Sequence, residues 1–379
     1  MKKIPWWDPR VESLEAEMVQ KVLQSQYLND GNLTEDFERA IAKVVGAKHG
    51  IATTSGTTAL FMALKARGVG AGDEVICPDI TFIATANAVT LTGAIPILVD
   101  VEPTTLNMSP TAMKEAITSK TKAIMPVHVS GRGANMPEIL KIAKAEKIAV
   151  IEDAAEALGA KGNGKFLGTW GDAGCFSFSP NKTVTTGQGG MVVTNDEVLA
   201  QRLRALKDQG RPKRGTGGDD AHPTIGFNFK LTNLQSAVGL GQLTYLEKRL
   251  KRLVRHYEIY SKELATTKGL VVLPFDVKAG EVPQWVDVLA DNRDELDQFL
   301  RNQNMDCRRF WHPIHTQQPY KESDKRFAHS TKLSPKALWL PSAYTLTDED
   351  IHAVCKQIQK FYASASTKKS SARVGRASA

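Results

Sequence analysis

The sequence predicts an α/β fold with a mostly parallel sheet, followed by a smaller α+β domain. Between residues 49 and 153, short apolar segments alternate with segments of helical periodicity, an order typical of strand–helix–strand units. Residues 148–151 form a continuous apolar run, as expected for a strand that helices cover on both faces. From about residue 268 the pattern changes to a mixture of short strands and helices, which predicts the second domain.

The elements of the first part of the chain follow from periodicity and from capping residues. Thr34 is the candidate N-cap of the second helix, and Gly46 follows the end of that helix. A strand at 49–54 runs into the turn Ser55-Gly56-Thr57-Thr58 and then into a helix that ends near residue 68. We expect further strands at 74–78, 95–100, 122–128 and 148–153, and helices at 11–25, 34–45, 82–91, 110–117 and 136–147.

The second part of the chain begins with two strands that flank a polar turn within residues 173–196. A helix is expected to about residue 209, and leucines and tyrosines between 243 and 264 share one helical face, which predicts one long helix into the second domain. Strands near 270–273 and 286–289 and helices at 293–302 and 348–363 complete it. We expect a large domain at 1–255, a small domain at 256–362 and a disordered basic tail at 363–379.

Composition excludes several classes of protein. The 379 residues are 42% hydrophobic and 24% charged, which is ordinary for a globular protein. Neither an apolar run of about 20 residues nor a signal-peptide pattern is present, so we expect a cytoplasmic protein without a membrane partner. The four cysteines are widely spaced and suggest no zinc site. We interpret them as reduced core thiols, and we expect no metal.

The net charge of +8 raises the possibility of a nucleic-acid partner. Four of these charges, however, lie within the last dozen residues, at Lys368, Lys369, Arg373 and Arg376. Half of the excess charge therefore belongs to the predicted tail rather than to a basic face. We expect no nucleic acid to bind.

A lysine and a carboxylate carry the functional prediction. Lys182 lies on the polar turn between the two strands of residues 173–196, and Asp153 ends the apolar strand 148–153. Pyridoxal phosphate needs a lysine for a Schiff base and a carboxylate for its pyridine nitrogen. The turn at residues 55–58 precedes a helix, where backbone amides favour a phosphate, although such a turn is also an ordinary helix cap. The carboxyl ends of parallel strands would bring these three features together.

A glycine-rich stretch at residues 208–224 is predicted to be a long loop. It lies among the cations Lys207, Arg211, Lys213 and Arg214. Two interpretations stay open, because such charges are commonly solvated and because they could also neutralise a diphosphate.

Several linked segments show a family resemblance at this point. TTSGTTALFMAL, GAGDEVICPDITFIATANAV, VIEDAAEALGA, FSFSPNKTVTTGQGGMVVTND and GFNFKLTNLQSAVGLGQL resemble the DegT/StrS family of pyridoxal-phosphate-dependent nucleotide-sugar aminotransferases. The resemblance covers roughly residues 10–362, in order and at similar spacing. It implies an aspartate-aminotransferase-like large domain (the type I fold of these enzymes), a small C-terminal domain, and a homodimer with active sites shared across the interface.

The resemblance also implies roles for individual residues. Lys182 matches the lysine that forms the Schiff base and moves the proton, and Asp153 matches the carboxylate on the pyridine nitrogen. Phe82 matches the aromatic residue that stacks on the cofactor ring, although a phenylalanine in the core is an equal alternative. The expected phosphate ligands are Gly56, Thr57, Ser177 and, from the neighbouring subunit, Asn228.

Two positions depart from the family pattern. Glu156 stands where many relatives have glutamine beside the phenolate oxygen of the cofactor, so either its pKa is raised or its side chain is turned away. Lys230 stands where many relatives have arginine and lacks the bidentate geometry of a guanidinium.

The implied reaction moves an amino group from L-glutamate to a keto sugar nucleotide, with ping-pong kinetics, for surface polysaccharide or glycan biosynthesis. The best match within the family favours GDP-4-keto-6-deoxymannose, with the loop from Lys207 to Arg214 on its diphosphate and His312 or His315 on its sugar hydroxyls. Each histidine could equally cap a turn or fill a core. The segment VSGRGANM after His128 differs from the best match, so a UDP- or dTDP-linked 4-keto or 3-keto deoxy sugar remains an alternative. Less favoured are a sugar dehydratase of the same fold and a non-catalytic regulatory protein.

Overall fold

The fold was analysed in a computed structural model that describes residues 2–212 and 220–374, with side chains as far as residue 364. Lys213 and Arg214 of the predicted basic loop lie outside the described residues, as do residues 375–379 of the predicted tail.

Two helices open the chain, and strands and helices then alternate from residue 49 to residue 153, as the periodicity predicts. In chain order these elements are α1 (Ser13–Ser25), α2 (Asn32–Val45), β1 (His49–Thr53), α3 (Gly56–Ala66), β2 (Glu74–Pro78), α4 (Ala84–Leu91), β3 (Ile95–Val99), α5 (Pro110–Glu115), β4 (Thr121–Ile124), α6 (Met136–Glu146) and β5 (Ala149–Asp153).

The rest of the chain begins with a small hairpin and returns to the same sheet before it forms a second one. Its elements are β6 (Lys161–Gly162), β7 (Lys165–Phe166), β8 (Ala173–Ser177), β9 (Gly190–Thr194), α7 (Glu197–Lys207), α8 (Asn233–Leu243), α9 (Leu246–Leu264), β10 (Leu270–Val272), β11 (Asp287–Ala290), α10 (Arg293–Asn302), β12 (Arg308–Arg309), α11 (Ala328–Leu333), β13 (Ala337–Trp339) and α12 (Asp348–Val374).

Seven strands form the large sheet in the order β1-β9-β8-β5-β4-β2-β3. All neighbouring pairs from β8 to β3 are parallel, whereas β9 is antiparallel to both β1 and β8. The carboxyl ends of β1, β2, β4, β5 and β8 therefore meet at one edge. Ligands of open α/β sheets bind at such an edge.

Alternate residues of each central strand face two different cores, because side chains of a strand point to opposite faces. Ile151 and Cys175 pack with α3, α4 and α7 on one face. Val150 packs with α6 on the other face, where Phe176 belongs to a cluster that also contains Phe37 of α2. The sheet is thus covered on both sides, which explains why its strands are nearly continuous apolar runs.

The second sheet has four antiparallel strands in the order β10-β11-β13-β12. One face packs against α10 and α12. The opposite face contributes Trp339 to an aromatic cluster with Trp6, Trp7, Trp285 and Trp311. Five of the six tryptophans of the chain therefore lie in one cluster between the two sheets.

Some boundaries differ from the sequence prediction. The N-cap of α2 is Gly31 rather than Thr34, because Thr34 is buried inside the helix and its backbone N–H donates to Asn233 Oδ1 at 3.2 Å. The predicted single long helix is two helices, α8 and α9, separated at Thr244 and Tyr245. Since α9 crosses residue 255, the domain boundary there stays a prediction.

The tail from residue 363 includes backbone that continues α12 to Val374. Because its last five residues lie outside the described part, its disorder stays a prediction. All four cysteines are buried and form no disulfide. Within residues 2–212 and 220–374, no helix is both long and apolar enough to cross a membrane.

Candidate active site

A cavity of about 510 Å³ lies at the carboxyl edge of the large sheet. Its walls come from the turn after β1, the segment after β2, the end of β5 and the loop between β8 and β9. The aromatic cluster closes the opposite side. Its lining includes Gly56, Thr57, Phe82, Asp153, Glu156, Ser177 and Lys182. The structure therefore brings together seven of the predicted site residues.

The loop that carries Lys182 is held in place by side chains from distant parts of the chain. Three of them donate hydrogen bonds to its carbonyl oxygens: Trp7 to Pro180 at 3.2 Å, Gln284 to Asn181 at 3.4 Å and Arg249 to Thr183 at 2.8 Å. These bonds fix the backbone on both sides of Lys182. The amine is thereby positioned by the surrounding fold rather than by its own loop alone.

Lys182 Nζ lies 3.3 Å from Glu156 Oε1 and 4.8 Å from the centre of the Trp285 ring. The other carboxylate oxygen of Glu156 accepts a hydrogen bond from the backbone N–H of Ser130 at 2.8 Å. Burial raises the pKa of Glu156, and the positive charge of Lys182 opposes that rise. Of the two possibilities left open by the sequence, the structure supports a Glu156 that faces the site and has a raised pKa.

Asp153 is 6% exposed at the end of β5. Its Oδ2 accepts a hydrogen bond from the Thr85 hydroxyl at 2.8 Å, and its Oδ1 accepts one from the backbone N–H of Ala155 at 3.2 Å. Burial raises the pKa of Asp153, whereas these two hydrogen bonds and the charge of Lys182 act to lower it. A cationic ring nitrogen bound against this carboxylate would favour its ionised form further.

The N-terminus of α3 forms another wall. Ser55 is its N-cap and accepts a hydrogen bond from the backbone N–H of Thr58 at 3.1 Å. A Cβ atom added to Gly56 would lie 2.8 Å from Ser177 Cβ, so the glycine lets the helix start close to the end of β8. The first amides of a helix have no partner within the helix, and the helix dipole favours an anion there.

This donor set fits pyridoxal phosphate. Lys182 offers the amine, Asp153 the carboxylate for the ring nitrogen, and the amides of Gly56 and Thr57 with the Ser177 hydroxyl offer donors for the phosphate. Phe82 is 53% exposed while it lines the cavity, which rules out the core alternative for this ring. An exposed aromatic face is what stacking on a planar cofactor requires.

Asn228 is not among the residues that line the cavity. It is exposed and forms a backbone bridge with Asp208. Lys230, two residues later, lies 2.6 Å from the Asp208 carboxylate. Within a single chain the segment of Asn228 is therefore separate from the predicted phosphate ligands.

The two histidines do not support the predicted contact with sugar hydroxyls. His315 is fully buried, with Nδ1 2.6 Å from Asp79 Oδ2 and Nε2 3.2 Å from Asp324 Oδ1. Its ring also stacks on Phe327 at 4.3 Å. His312 is exposed, and neither histidine lines the cavity. Both ring nitrogens of His315 are engaged by carboxylates, so of the alternatives weighed from the sequence the structural role fits this residue.

Two cations of the predicted basic loop also differ from the prediction, because they form ion pairs within the chain. Lys207 ends α7 and is buried, with Nζ 2.8 Å from Glu38 and 3.5 Å from Asp30. Arg211 pairs with Asp208 at 3.2 Å and with Asp220 at 2.8 Å. These two cations neutralise carboxylates of their own chain, which argues against their predicted role on a diphosphate.

The sequence did not predict the part of the cavity wall that comes from residues after 284. Trp285, Arg308, Trp311 and Trp339 all line the cavity. The signal available in the sequence was the concentration of tryptophans near both ends of the chain, because so many large aromatics in one chain suggest a shared cluster. Nothing in the local pattern placed Arg308 beside Lys182.

Comparison with known proteins agrees with this geometry. A model of the DegT/DnrJ/EryC1/StrS aminotransferase family matches residues 9–359. GDP-perosamine synthase of Caulobacter vibrioides is 39% identical over 91% of this chain and 95% of its own length, and GDP-perosamine synthase of Escherichia coli O157:H7 is 38% identical over 96% and 99%.

Among solved structures, DesV of S. venezuelae has a TM-score of 0.90 and 30% identity, with 96% of this chain and 99% of that chain covered. The prediction of an aspartate-aminotransferase-like α/β fold is therefore confirmed. The chain belongs to the DegT/DnrJ/EryC1/StrS aminotransferase family, and it is a pyridoxal-phosphate-dependent aminotransferase.

Proposed function

We propose that this enzyme transfers the amino group of L-glutamate to a keto sugar nucleotide, with GDP-4-keto-6-deoxymannose as substrate and GDP-perosamine as product. The observation that carries the aminotransferase chemistry is a cavity of about 510 Å³ that both Lys182 and Asp153 line. The substrate is supported by two GDP-perosamine synthases that match almost the full chain at 39% and 38% identity.

Bound pyridoxal phosphate would supply a ring that withdraws electrons from the carbon that bears the nitrogen. The Asp153 carboxylate, at the end of β5, would hold a proton on the ring nitrogen of the bound cofactor. Lys182 takes a proton from the α-carbon of the donor and later delivers one to the sugar carbon. Glu156, 3.3 Å away, stabilises the cationic form of Lys182 in each half of the reaction, while the amine carries the proton.

Donor and acceptor use the same amine and the same cavity in turn. The donor product therefore has to leave before the sugar enters, and we expect ping-pong kinetics. The aromatic cluster covers one side of the cavity, which limits the access of water to Lys182.

The test of the substrate is transfer of a labelled amino group. Purified enzyme with pyridoxal phosphate and ¹⁵N-glutamate should convert GDP-4-keto-6-deoxymannose into a labelled amino sugar nucleotide, seen by mass spectrometry. UDP- and dTDP-linked 4-keto and 3-keto deoxy sugars serve as competitors in the same mixture. Preferential labelling of a UDP- or dTDP-linked product would reject the GDP-linked substrate and keep the aminotransferase.

The segment at residues 129–136 is the structural reason to test UDP- and dTDP-linked sugars as well. Residues 129–136, which differ from the best match within the family, do not line the cavity but support its wall, because the backbone N–H of the buried Ser130 donates to the Glu156 carboxylate. Ser130 has a positive φ of 55°, and its hydroxyl accepts a hydrogen bond from Trp339 at 2.9 Å. A changed loop at this position can change which sugar fits.

We further propose that the enzyme is a homodimer whose active sites are shared. Asn228 matches a phosphate ligand of the family, yet it is exposed and does not line the cavity of its own chain. Tyr27, Leu28 and Ile225 are exposed large apolar residues. Leu28 and Asn29 bind the backbone of Asn233 and so lie near the same segment, which favours burial of this region by a second copy.

Mixed dimers test this sharing. Lys182→Ala and Asn228→Ala are each expected to have low activity as homodimers. A dimer of one Lys182→Ala chain and one Asn228→Ala chain contains one site with both native residues. Activity should therefore return towards half that of the native enzyme after subunit exchange, and no recovery in dimers shown to be mixed would reject a shared site.

A further inference from the structure

Arg308 is a cation of the active-site wall to which the catalytic geometry above assigns no role. It lies in β12 and lines the cavity. Its guanidinium carbon is 4.8 Å from the ring centre of Trp6 and 5.7 Å from that of Trp339. Among the described residues no carboxylate forms an ion pair with Arg308, whereas the adjacent Arg309 pairs with both Asp294 and Asp297.

The tryptophans link Arg308 to the catalytic amine. Lys182 Nζ lies over Trp285, and the Trp285 ring centre is 5.2 Å from that of Trp6 and 4.8 Å from that of Trp339. Two cations therefore rest on one aromatic cluster. The Arg308 charge also interacts with Glu156, since this carboxylate opposes the lowering of the Arg308 pKa that burial causes.

We propose that Arg308 binds the carboxylate next to the reacting carbon of the amino donor, an inference that rests on the proposed function. In an α-amino acid this carboxylate is one bond from the carbon whose proton Lys182 removes. Its binding group must therefore lie close to Lys182 without occupying the place of the cofactor. Arg308 lines the same cavity as Lys182, and its planar guanidinium can hold a carboxylate through two parallel hydrogen bonds.

The diphosphate of a sugar nucleotide is a poorer occupant of this position. It is attached at carbon 1 of the sugar, on the opposite side of the ring from carbon 4. When carbon 4 is placed at Lys182, the diphosphate lies beyond the width of the sugar ring. Arg308 shares its aromatic cluster with Lys182, so it suits the anion nearer to the reacting carbon.

The tryptophan rings strengthen this site. Trp6 and Trp339, whose ring centres lie 4.8 and 5.7 Å from the guanidinium carbon, contact the cation through their aromatic rings and partly desolvate it. A partly desolvated cation that forms no direct ion pair gains more from an incoming carboxylate than an exposed one does. The N-terminal segment thus takes part in donor binding through Trp6.

Binding of an unreactive probe tests Arg308 without any sugar turnover. Enzyme loaded with pyridoxal phosphate is titrated with glutarate, a dicarboxylate without an amino group, and separately with GDP, and tryptophan fluorescence reports binding. Arg308→Gln should weaken glutarate binding about ten- to a hundredfold and leave GDP binding unchanged. Arg308→Lys, which keeps the charge but not the planar fork, should fall between the native enzyme and Arg308→Gln.

Arg309→Gln is the matched control, because Arg309 is adjacent in sequence but does not line the cavity; it should bind glutarate as the native enzyme does. Steady-state kinetics add a second readout, in which Arg308→Gln raises the KM for glutamate and not that for the sugar nucleotide. Unchanged glutarate affinity in Arg308→Gln would overturn the proposal, as would a loss confined to GDP. Failure of the native enzyme to aminate any sugar nucleotide would instead reject the proposed function.

Discussion

Lys182 Nζ and Glu156 Oε1 are 3.3 Å apart inside a cavity that also contains Asp153. Lys182 therefore has two buried carboxylates near it, and burial raises the pKa of both. The positive charge of Lys182 lowers the pKa of both carboxyl groups, so their ionised forms and the cationic amine stabilise one another. In the proposed reaction, this close pair is the place where the transferred proton is held.

Replacement of Lys182 by alanine should abolish turnover. The variant loses both the amine that attaches the cofactor and the group that moves the proton, and a lost general base alone costs about 10²–10⁴-fold in rate. Pyridoxal phosphate should still bind, because the groups around Asp153, Gly56 and Ser177 remain. The measurement is amino transfer from glutamate, together with mass spectrometry of protein reduced with borohydride.

Lys141→Ala is the control for this variant, because Lys141 is a solvent-exposed lysine of α6 with 75% side-chain exposure. It should retain native activity and the reducible cofactor attachment. Appreciable turnover by Lys182→Ala, or a borohydride adduct on another lysine, would contradict the assignment.

Replacement of Glu156 by glutamine should change how stability depends on pH. The folded-state pKa of Glu156 lies above its ordinary value because of burial, so the folded protein binds more protons than the unfolded chain in that interval. Stability contributed by this group is present below the unfolded pKa and is lost as pH rises towards the folded pKa. Glu156→Gln removes this loss, which has a slope of at most about 1.4 kcal/mol per pH unit.

The measurement compares thermal midpoints of cofactor-free native and Glu156→Gln protein from acid to neutral pH. The difference between the two should grow in favour of the variant as pH rises. Asp153 is present in both proteins, and its charge interaction with Glu156 is lost together with the Glu156 carboxylate in the variant. A midpoint difference that is constant with pH would show that the Glu156 pKa is not raised.

Gly56→Ala should weaken cofactor binding. The new Cβ would lie 2.8 Å from Ser177 Cβ, so α3 and the end of β8 must move apart, and overpacking of this kind costs about 1–3 kcal/mol. The dissociation constant of pyridoxal phosphate should rise about tenfold or more. Gly70→Ala is the matched control, since no atom lies within 4 Å of its added Cβ, and equal affinities of the two variants would contradict the proposed phosphate site.

Local pattern was sufficient to predict the groups at the sheet edge. Asp153 ends an apolar strand and Lys182 lies in a polar turn between two strands, and both positions follow from short stretches of sequence. A parallel sheet then brings strand ends together whatever the details of its helices. Lys182 and Asp153 could therefore be found without the structure.

Residues supplied by distant segments could not be predicted in this way. Arg308 reaches the cavity only because β12 pairs with β13 and because Trp6 from the N-terminus packs against both. Lys207 looked like a loop cation, yet packing of α7 against α2 places it beside Glu38. Such contacts depend on tertiary packing between segments that carry no local signal.

His315 provides the last prediction, because the structure favours one of the two roles that the sequence left open for it. Its Nδ1 and its backbone N–H both contact the Asp79 carboxylate, at 2.6 and 2.8 Å, and Asp79 directly follows β2. The Ser330 hydroxyl donates to the same carboxylate at 2.6 Å. The hydrogen bonds of His315 and Ser330 to Asp79 therefore hold residues 314–330 against the carboxyl end of β2, which lies shortly before Phe82 in the chain.

His315→Gln should lower the thermal midpoint, because a buried carboxylate that loses a hydrogen-bond partner costs about 1–3 kcal/mol, and more when it is charged. The KM for the sugar nucleotide should stay within about twofold of the native value, since His315 lies outside the cavity. His312→Gln, at an exposed position, should change neither quantity. If His315→Gln kept its midpoint while this KM rose tenfold, His315 would contact the sugar, as its sequence context suggested, and the buried pair with Asp79 would not describe the working enzyme.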